Sequence, residues 1–445
     1  LGLELELPLR SQAADVEAAV RQGGRQTLGL ELWAGRFTLS APVNGKRQLG
    51  LLSATALVVA NMIGTGVFTT SGFALADLRS PWWVLAAWLA GGVFAALGVL
   101  CYGALARRFP ESGGEYLFLS RTLHPVAGHC AGWISLLVGF SAPVAAAAYG
   151  FGEYTKTWFP HSHPKWLGTV LLLGFTLLHA GHVRGGAWVQ NAAVGVKVGL
   201  IVGFVTVAWP RVPPPEPTVG VFSLPSFAMT LVWISFSYSG WNAAVYVGGE
   251  VARPERNLPL SLLLGAGLVT LLYLALNSVF VFSAPVSELA GRVEIGQVAA
   301  YALGGRRWAD AVTLLVDLAL ITSVSSMTMA GPRVYARMAA DGYLPRWLAS
   351  EGGPPRASIV LQSGLALVML WTASFQALLT FIGFTLSLST AATVLGLIRL
   401  RDREGARLPV PGWPVVPWLF LVGVIAMAVL AVVNISWPAF AKLFQ

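Results

Sequence analysis

The chain has 445 residues, of which 56% are apolar and only 11% charged. A water-soluble domain carries about 25% charged residues, so this composition excludes an ordinary soluble protein. The net charge of +9 lies in short clusters between apolar stretches, a placement that suits anionic lipid and control of topology rather than nucleic acid.

Residues 1–45 differ in kind from the rest and carry Leu-Gly-Leu-Glu-Leu at 1–5 and again at 28–32. Two copies of five residues do not make a repeat architecture. The chain begins with Leu and has no Met before Met62, so this stretch reads as an upstream extension of a gene model whose start lies near Val43. A small cytoplasmic cap is the alternative. A membrane helix needs about 20 mostly apolar residues. Windows of that kind fall at 49–72, 82–105, 126–151, 166–181, 187–209, 227–249, 259–283, 308–332, 357–373, 376–398 and 414–434. They predict about eleven transmembrane helices in one membrane domain, 46–445, whose first window doubles as the targeting signal. The segment from Ser436 to Gln445 is too short to cross again.

The segments on the side of the N-terminus hold about twice as many Lys and Arg as those on the other, among them Arg107, Arg108, Arg253, Arg256, Arg333 and Arg401. That bias predicts a cytoplasmic N-terminus in a multi-pass protein of the cell membrane. Trp82, Trp83, Trp158, Trp166, Trp209 and Trp308 fall near window ends, as an aromatic belt would have them. Cys101 and Cys130 both lie inside windows and read as small buried packing residues, not a disulfide framework or metal site.

The first window is interrupted by Asn61-Met62-Ile63-Gly64-Thr65-Gly66 and the sixth by Phe236-Ser237-Tyr238-Ser239-Gly240-Trp241-Asn242. Glycine weakens a helix, and at membrane depth freed backbone groups survive only where they line a cavity. Two broken helices five spans apart point to a mid-membrane site between inverted repeats. Glycine used for close helix packing is the structural alternative. N–H groups around Thr65 and Gly66 would suit an anion, and freed carbonyls a cation. Together they suit a zwitterion.

With these motifs the chain resembles the amino acid–polyamine–organocation superfamily, nearest its L-type and cationic amino acid transporter branches. The likeness runs through Ile63 to Phe68, Phe109-Pro110-Glu111-Ser112-Gly113-Gly114-Glu115-Tyr116, Phe236 to Asn242 and Gly249 to Pro259. It continues in Gly331-Pro332-Arg333 and Asp341 to Pro345, covering roughly residues 46–440. The resemblance implies an all-α fold of five-plus-five inverted repeats (helices 1–5 and 6–10, with helix 11 peripheral) that works by alternating access. It implies that Ile63, Gly64, Thr65 and Gly66 hold a substrate carboxylate. The carbonyls of Phe236, Ser237 and Ser239 would hold the amine, and the Phe236 ring would be the outer gate. The N-terminal extension and the lack of a twelfth helix depart from the family pattern.

Two charged residues stand at membrane depth. Lys197 is nine residues from Trp188 and twelve from Trp209, so roughly 14–18 Å of helix separates it from either end. A lysine stem of about 6 Å snorkels poorly from there, so its ammonium must face the protein or lose its proton. Sodium-independent members of the resembling family have a lysine at this place, linking the first break to the eighth helix as a cation would. A fixed, non-titrating bridge is the structural alternative. Asp317 lies about 14 Å into the eighth window and reads as a proton or partner group, or as an acid hydrogen-bonded to a neighbouring helix.

Glu111, Glu115, Glu250 and Glu255 lie in loops beside arginines and read as loop-fixing ion pairs. His161, His163, His179 and His182 lack metal-ligand spacing. The hydroxyls of Thr322, Ser323, Ser325, Ser326 and Thr328 would either line a cavity or bond their own helix. The reading is therefore a secondary transporter of amino acids, with neutral α-amino acids favoured because no acid marks the pocket. It would be sodium-independent and driven by protons or exchange. No enzymatic role, cofactor or metal is expected. A sodium symporter of the same fold and a transporter-like nutrient sensor are the alternatives.

Overall fold

The computed structural model describes residues 49–181, 187–215, 222–350 and 354–434; the 1–45 extension and the segment from Ser436 to Gln445 lie outside these. Their helices in chain order are α1 (Leu51–Met62), α2 (Thr65–Leu78), α3 (Pro81–Arg108), α4 (Glu115–Thr122), α5 (Pro125–Ile134) and α6 (Ala142–Thr155). There follow α7 (Pro164–Ala180), α8 (Ala187–Ala208), α9 (Leu224–Tyr238), α10 (Ala243–Tyr246) and α11 (Pro254–Phe282). The last are α12 (Val286–Leu289), α13 (Ile295–Gly304), α14 (Arg306–Ala340), α15 (Arg356–Thr372), α16 (Phe375–Glu404) and α17 (Val415–Asn434). Strands are absent among the described residues, where Leu49 and Val251 form an isolated bridge.

Each of the eleven apolar windows carries helix. Eight helices among the described residues are long and apolar enough to cross a membrane. The windows at 166–181, 227–249 and 357–373 instead carry helices of 17, 15 and 17 residues. Starts are set by local chemistry. Pro81, Pro125, Pro164 and Pro254 occupy first turns, where a missing N–H costs nothing. Ser374 caps α16 by accepting from Ala377 N–H.

The radial pattern is that of a protein in lipid. Trp88, Tyr102, Tyr154, Tyr238 and Tyr273 are fully buried, while Leu177 is 75% exposed at the perimeter. Apolar side chains that water would expel are tolerated where the surroundings are hydrocarbon. Cys130 corrects the sequence reading: it is exposed, whereas Cys101 is buried. Position within a span does not decide burial, because each peripheral helix turns one face outward.

The third span contains a feature the sequence reading missed. Between α5 and α6, residues Ser135–Ser141 form a π-helical segment, and the Ala142 N–H bonds Leu137 five residues back. Pro143 follows immediately and has no N–H to continue the α ladder. Such segments concentrate at functional sites, and here Gly139, Phe140 and Pro143 line the central cavity.

Candidate functional site

Both breaks fall where the sequence places them, and they face each other. α1 ends at Met62; Ile63 and Gly64 are extended, and α2 restarts at Thr65 with no side-chain cap. Its first N–H groups are therefore unclaimed by a capping side chain, at the positive end of the helix dipole. α9 ends at Tyr238, and Ser239 to Asn242 lead to α10. Gly240 has φ +94°, and an added Cβ would lie 2.7 Å from the Asn61 carbonyl oxygen. Glycine is required there twice over, by its left-handed backbone and by the close approach of the first break.

A small cavity of about 20 Å³ lies between the breaks, lined by Gly64, Thr65, Gly66, Phe236, Ser237 and Ser239 among others. It also touches Ser323 and Met327 of α14. Ile63 is fully buried beside it. Asn61, Ser239 and Met327 line both this space and a larger cavity of about 680 Å³. The larger cavity runs to the exposed residues Ser112, Glu250 and Arg333.

The opposite end of α2 is sealed. Phe68, Thr69, Thr70 and Ser71 are fully buried. The Gly72 carbonyl accepts from Gly291 N–H at 2.7 Å, and Tyr154 Oη donates to the Phe68 carbonyl at 2.7 Å. Trp88 Nε1 donates to Ser71 Oγ, which donates in turn to Asn277 Oδ1.

Lys197 is 5% exposed, and its Nζ donates to the Ile63 carbonyl at 3.0 Å and to Ser323 Oγ at 3.4 Å. It thus joins α8, the first break and α14. Asp317 is not part of that group. Six residues before Ser323, about 9 Å along the helix, its Oδ2 accepts from Thr155 Oγ1 at 2.9 Å. Its Oδ1 is buried without a hydrogen-bond partner among the described residues.

The carbonyls expected to hold an amine are partly engaged. Phe236 O accepts from Ser239 N–H at 2.9 Å, and Ser237 O accepts from Tyr273 Oη at 3.0 Å. Each keeps a second lone pair. Tyr273 was missed by sequence reasoning. Its single hydroxyl proton is shared with the Met62 carbonyl, so one side chain of α11 ties both breaks together. A tyrosine amid an apolar span gives no local sign of partners so distant in sequence.

Gly66 lines the small cavity and also packs closely, since an added Cβ would stand 2.6 Å from Ser237 Cα. At Gly64 an added Cβ would meet only Ser323 Oγ, at 4.0 Å. One other expectation needs correction, that of the loop acids. Among the described residues Glu111, Glu115, Glu250 and Glu255 make no ion pairs; Arg108 pairs with Glu404 instead. Glu115 is buried among hydroxyl and amide donors.

The hydroxyls of α14 fall only in part into the two expected roles. Thr322 bonds back to Ala319, Ser323 reaches Ile63, Ser325 meets His179 at 3.0 Å, and Ser326 lines the large cavity. Groups of His, Cys, Asp or Glu able to hold a metal are absent among the described residues.

Facing helix breaks, an apolar perimeter and a cavity closed at one end and open at the other define a helical membrane transporter. The amino acid permease family model matches residues 49–441, and the chain belongs to that family. It is 28% identical over 382 residues to the large neutral amino acids transporter small subunit 2 of Mus musculus, covering 81% of this chain and 71% of that protein. It is 27% identical over 424 residues to the mouse b(0,+)-type amino acid transporter 1, covering 90% and 85%. Against the mouse Asc-type amino acid transporter 1 it is 28% identical over 403 residues, covering 84% and 76%. The protein is a multi-pass membrane transporter of amino acids, not an enzyme.

Proposed function

We propose that the chain moves neutral α-amino acids across the cell membrane by alternating access without sodium, using proton coupling or exchange. The observation that carries this reading is the junction at Ile63. A lysine ammonium occupies the carbonyl that a bound metal cation would otherwise claim, and it bridges α8, the first break and α14.

The substrate carboxylate would sit on the N–H groups of Gly64, Thr65 and Gly66, with Ile63 behind them. The amine would take the remaining lone pairs of Phe236, Ser237 and Ser239. Phe236, buried over the small cavity, would be the gate on the sealed side. A neutral substrate is favoured because the small cavity is lined by no acidic side chain, and one relative is named for large neutral amino acids. The basic bias of the loops puts the open end of the large cavity in the cytoplasm, so this conformation faces inward.

Asp317 would serve as a second proton-carrying group, since one oxygen is left without a partner at 3% exposure. Asp317→Asn is expected to transport with an altered pH profile; an unchanged profile removes it from coupling. The general test is radiolabelled uptake into proteoliposomes, screened across the twenty amino acids with and without a proton gradient. Saturable uptake of neutral substrates in sodium-free buffer supports the reading, and preference for cationic substrates overturns its specificity.

A further inference from the structure

Glu115 begins α4, the short helix between the second and third spans, and is only 2% exposed although it lines the large cavity. Three elements converge on its carboxyl group. Tyr102 of α3 donates to Oε1 at 2.7 Å, and Asn242 Nδ2, from the break in the sixth span, donates to the same oxygen at 3.1 Å. Ser389 of α16 donates to Oε2 at 3.0 Å. Tyr246 of α10 also faces it. No basic side chain among the described residues acts on it, while Glu250 and Arg333 stand elsewhere on the cavity wall.

A buried carboxylate without a cation is costly, and hydrogen bonds to donors offset only part of that cost. This donor set tolerates the neutral acid as well. Tyr102 and Asn242 are fixed donors to Oε1, but the Ser389 hydroxyl can turn and accept a proton carried on Oε2. All three contacts then survive.

Asn242 is the residue that matters for transport. It closes the unwound segment Ser239–Asn242 that lines both cavities and immediately precedes α10. We propose that Glu115 is a proton-dependent positioning residue of the inner gate, holding the broken sixth helix through Asn242 while the cavity is open. The ionised carboxylate accepts from Tyr102, Asn242 and Ser389 in charge-assisted bonds and grips hardest; taking up a proton from the cytoplasm weakens the bond from Asn242 and loosens it. The inference rests on the alternating-access reading but not on the role of Lys197.

Burial supports the argument by pushing the Glu115 carboxyl above its ordinary 4.5, against the three donors, which pull it down.

The test is exchange in proteoliposomes with internal pH stepped from about 5 to about 8 around the carboxylate range, alongside thermal melting of each variant. Glu115→Gln keeps an acceptor for Tyr102 and Asn242 and can donate to Ser389. It should retain the acidic-side wild-type rate and lose the dependence on internal pH. Glu115→Ala should lose about tenfold in turnover, corresponding to about 1.4 kcal/mol, with little change in KM. Adding Asn242→Ala to Glu115→Ala should cost nothing further. The inference is overturned if Glu115→Gln keeps the wild-type profile, if it is as inactive as a folded Glu115→Ala, or if Glu115→Ala exchanges normally. Should Glu115→Ala fail to fold, the profile of Glu115→Gln decides alone. Absence of exchange in wild type counts against the transport reading itself, whereas exchange indifferent to internal pH counts only against Glu115.

Discussion

The sealed and open halves of the two broken helices use similar residues and are packed in opposite ways. On the sealed side, glycine brings backbones into contact: a Cβ at Gly72 would lie 1.9 Å from the Arg292 carbonyl oxygen. Buried hydroxyls there find one another, as Thr70 and Ser237 do at 3.0 Å. On the open side, glycine and serine line space, and the cavity of about 680 Å³ separates the same helices. Composition alone therefore does not set the state. What differs is which backbone groups have partners, and a transporter can reverse that difference without unfolding.

The largest expected effect comes from the two glycines of the first break, which the geometry assigns different tasks. Gly66→Ala forces a Cβ against the Ser237 backbone and should lower thermal stability by about 1–3 kcal/mol, as overpacking does, while abolishing uptake. Gly64→Ala leaves packing alone and intrudes on the small cavity. It should melt as wild type does and raise KM about tenfold, or about 1.4 kcal/mol of binding. Equal stability losses in both variants would erase the distinction.

Next is Tyr273→Phe. Its hydroxyl bonds Met62 and Ser237 across the two breaks, and leaving buried carbonyls unpaired costs about 1–3 kcal/mol. Slower turnover with a lowered melting temperature is expected. An unchanged variant would mean that the breaks hold their spacing by packing alone.

The smallest effect is on the open side and depends on pH. Burial raises the Glu115 carboxyl above its ordinary 4.5, so the folded protein binds this proton more tightly than the unfolded chain does. The stabilisation is fully present below that value and is lost as pH rises through the raised folded value. Wild type should therefore lose stability relative to Glu115→Gln as pH climbs through that window. A constant difference between the two melting curves would show that the carboxyl titrates normally.

Much of this arrangement was legible in the sequence, because membrane helices and their interruptions are local signals. Gly64, Gly66 and Gly240 mark the breaks by residue type, and Lys197 stands out because nothing nearby explains a cation. The missed features depend on partners far along the chain. Tyr273 lies 211 residues from Met62, and Ser389 lies 274 from Glu115. Glu115 was read with the loop arginines beside it, whereas the fold turns it inward towards α3, α10 and α16. Gly66 is marked by its place in the break, and only the position of Ser237 reveals that it is also a packing contact.

The central claim is that the Lys197 ammonium occupies the place of a coupling cation at the Ile63 carbonyl, where it is held at 3.0 Å. Uptake of a neutral amino acid into sodium-free proteoliposomes, for wild type and Lys197→Met, tests it most directly. The account predicts full wild-type uptake without sodium and loss of net uptake in Lys197→Met. Strict dependence of the wild type on sodium, or pH-dependent uptake by Lys197→Met at the wild-type rate, would contradict it.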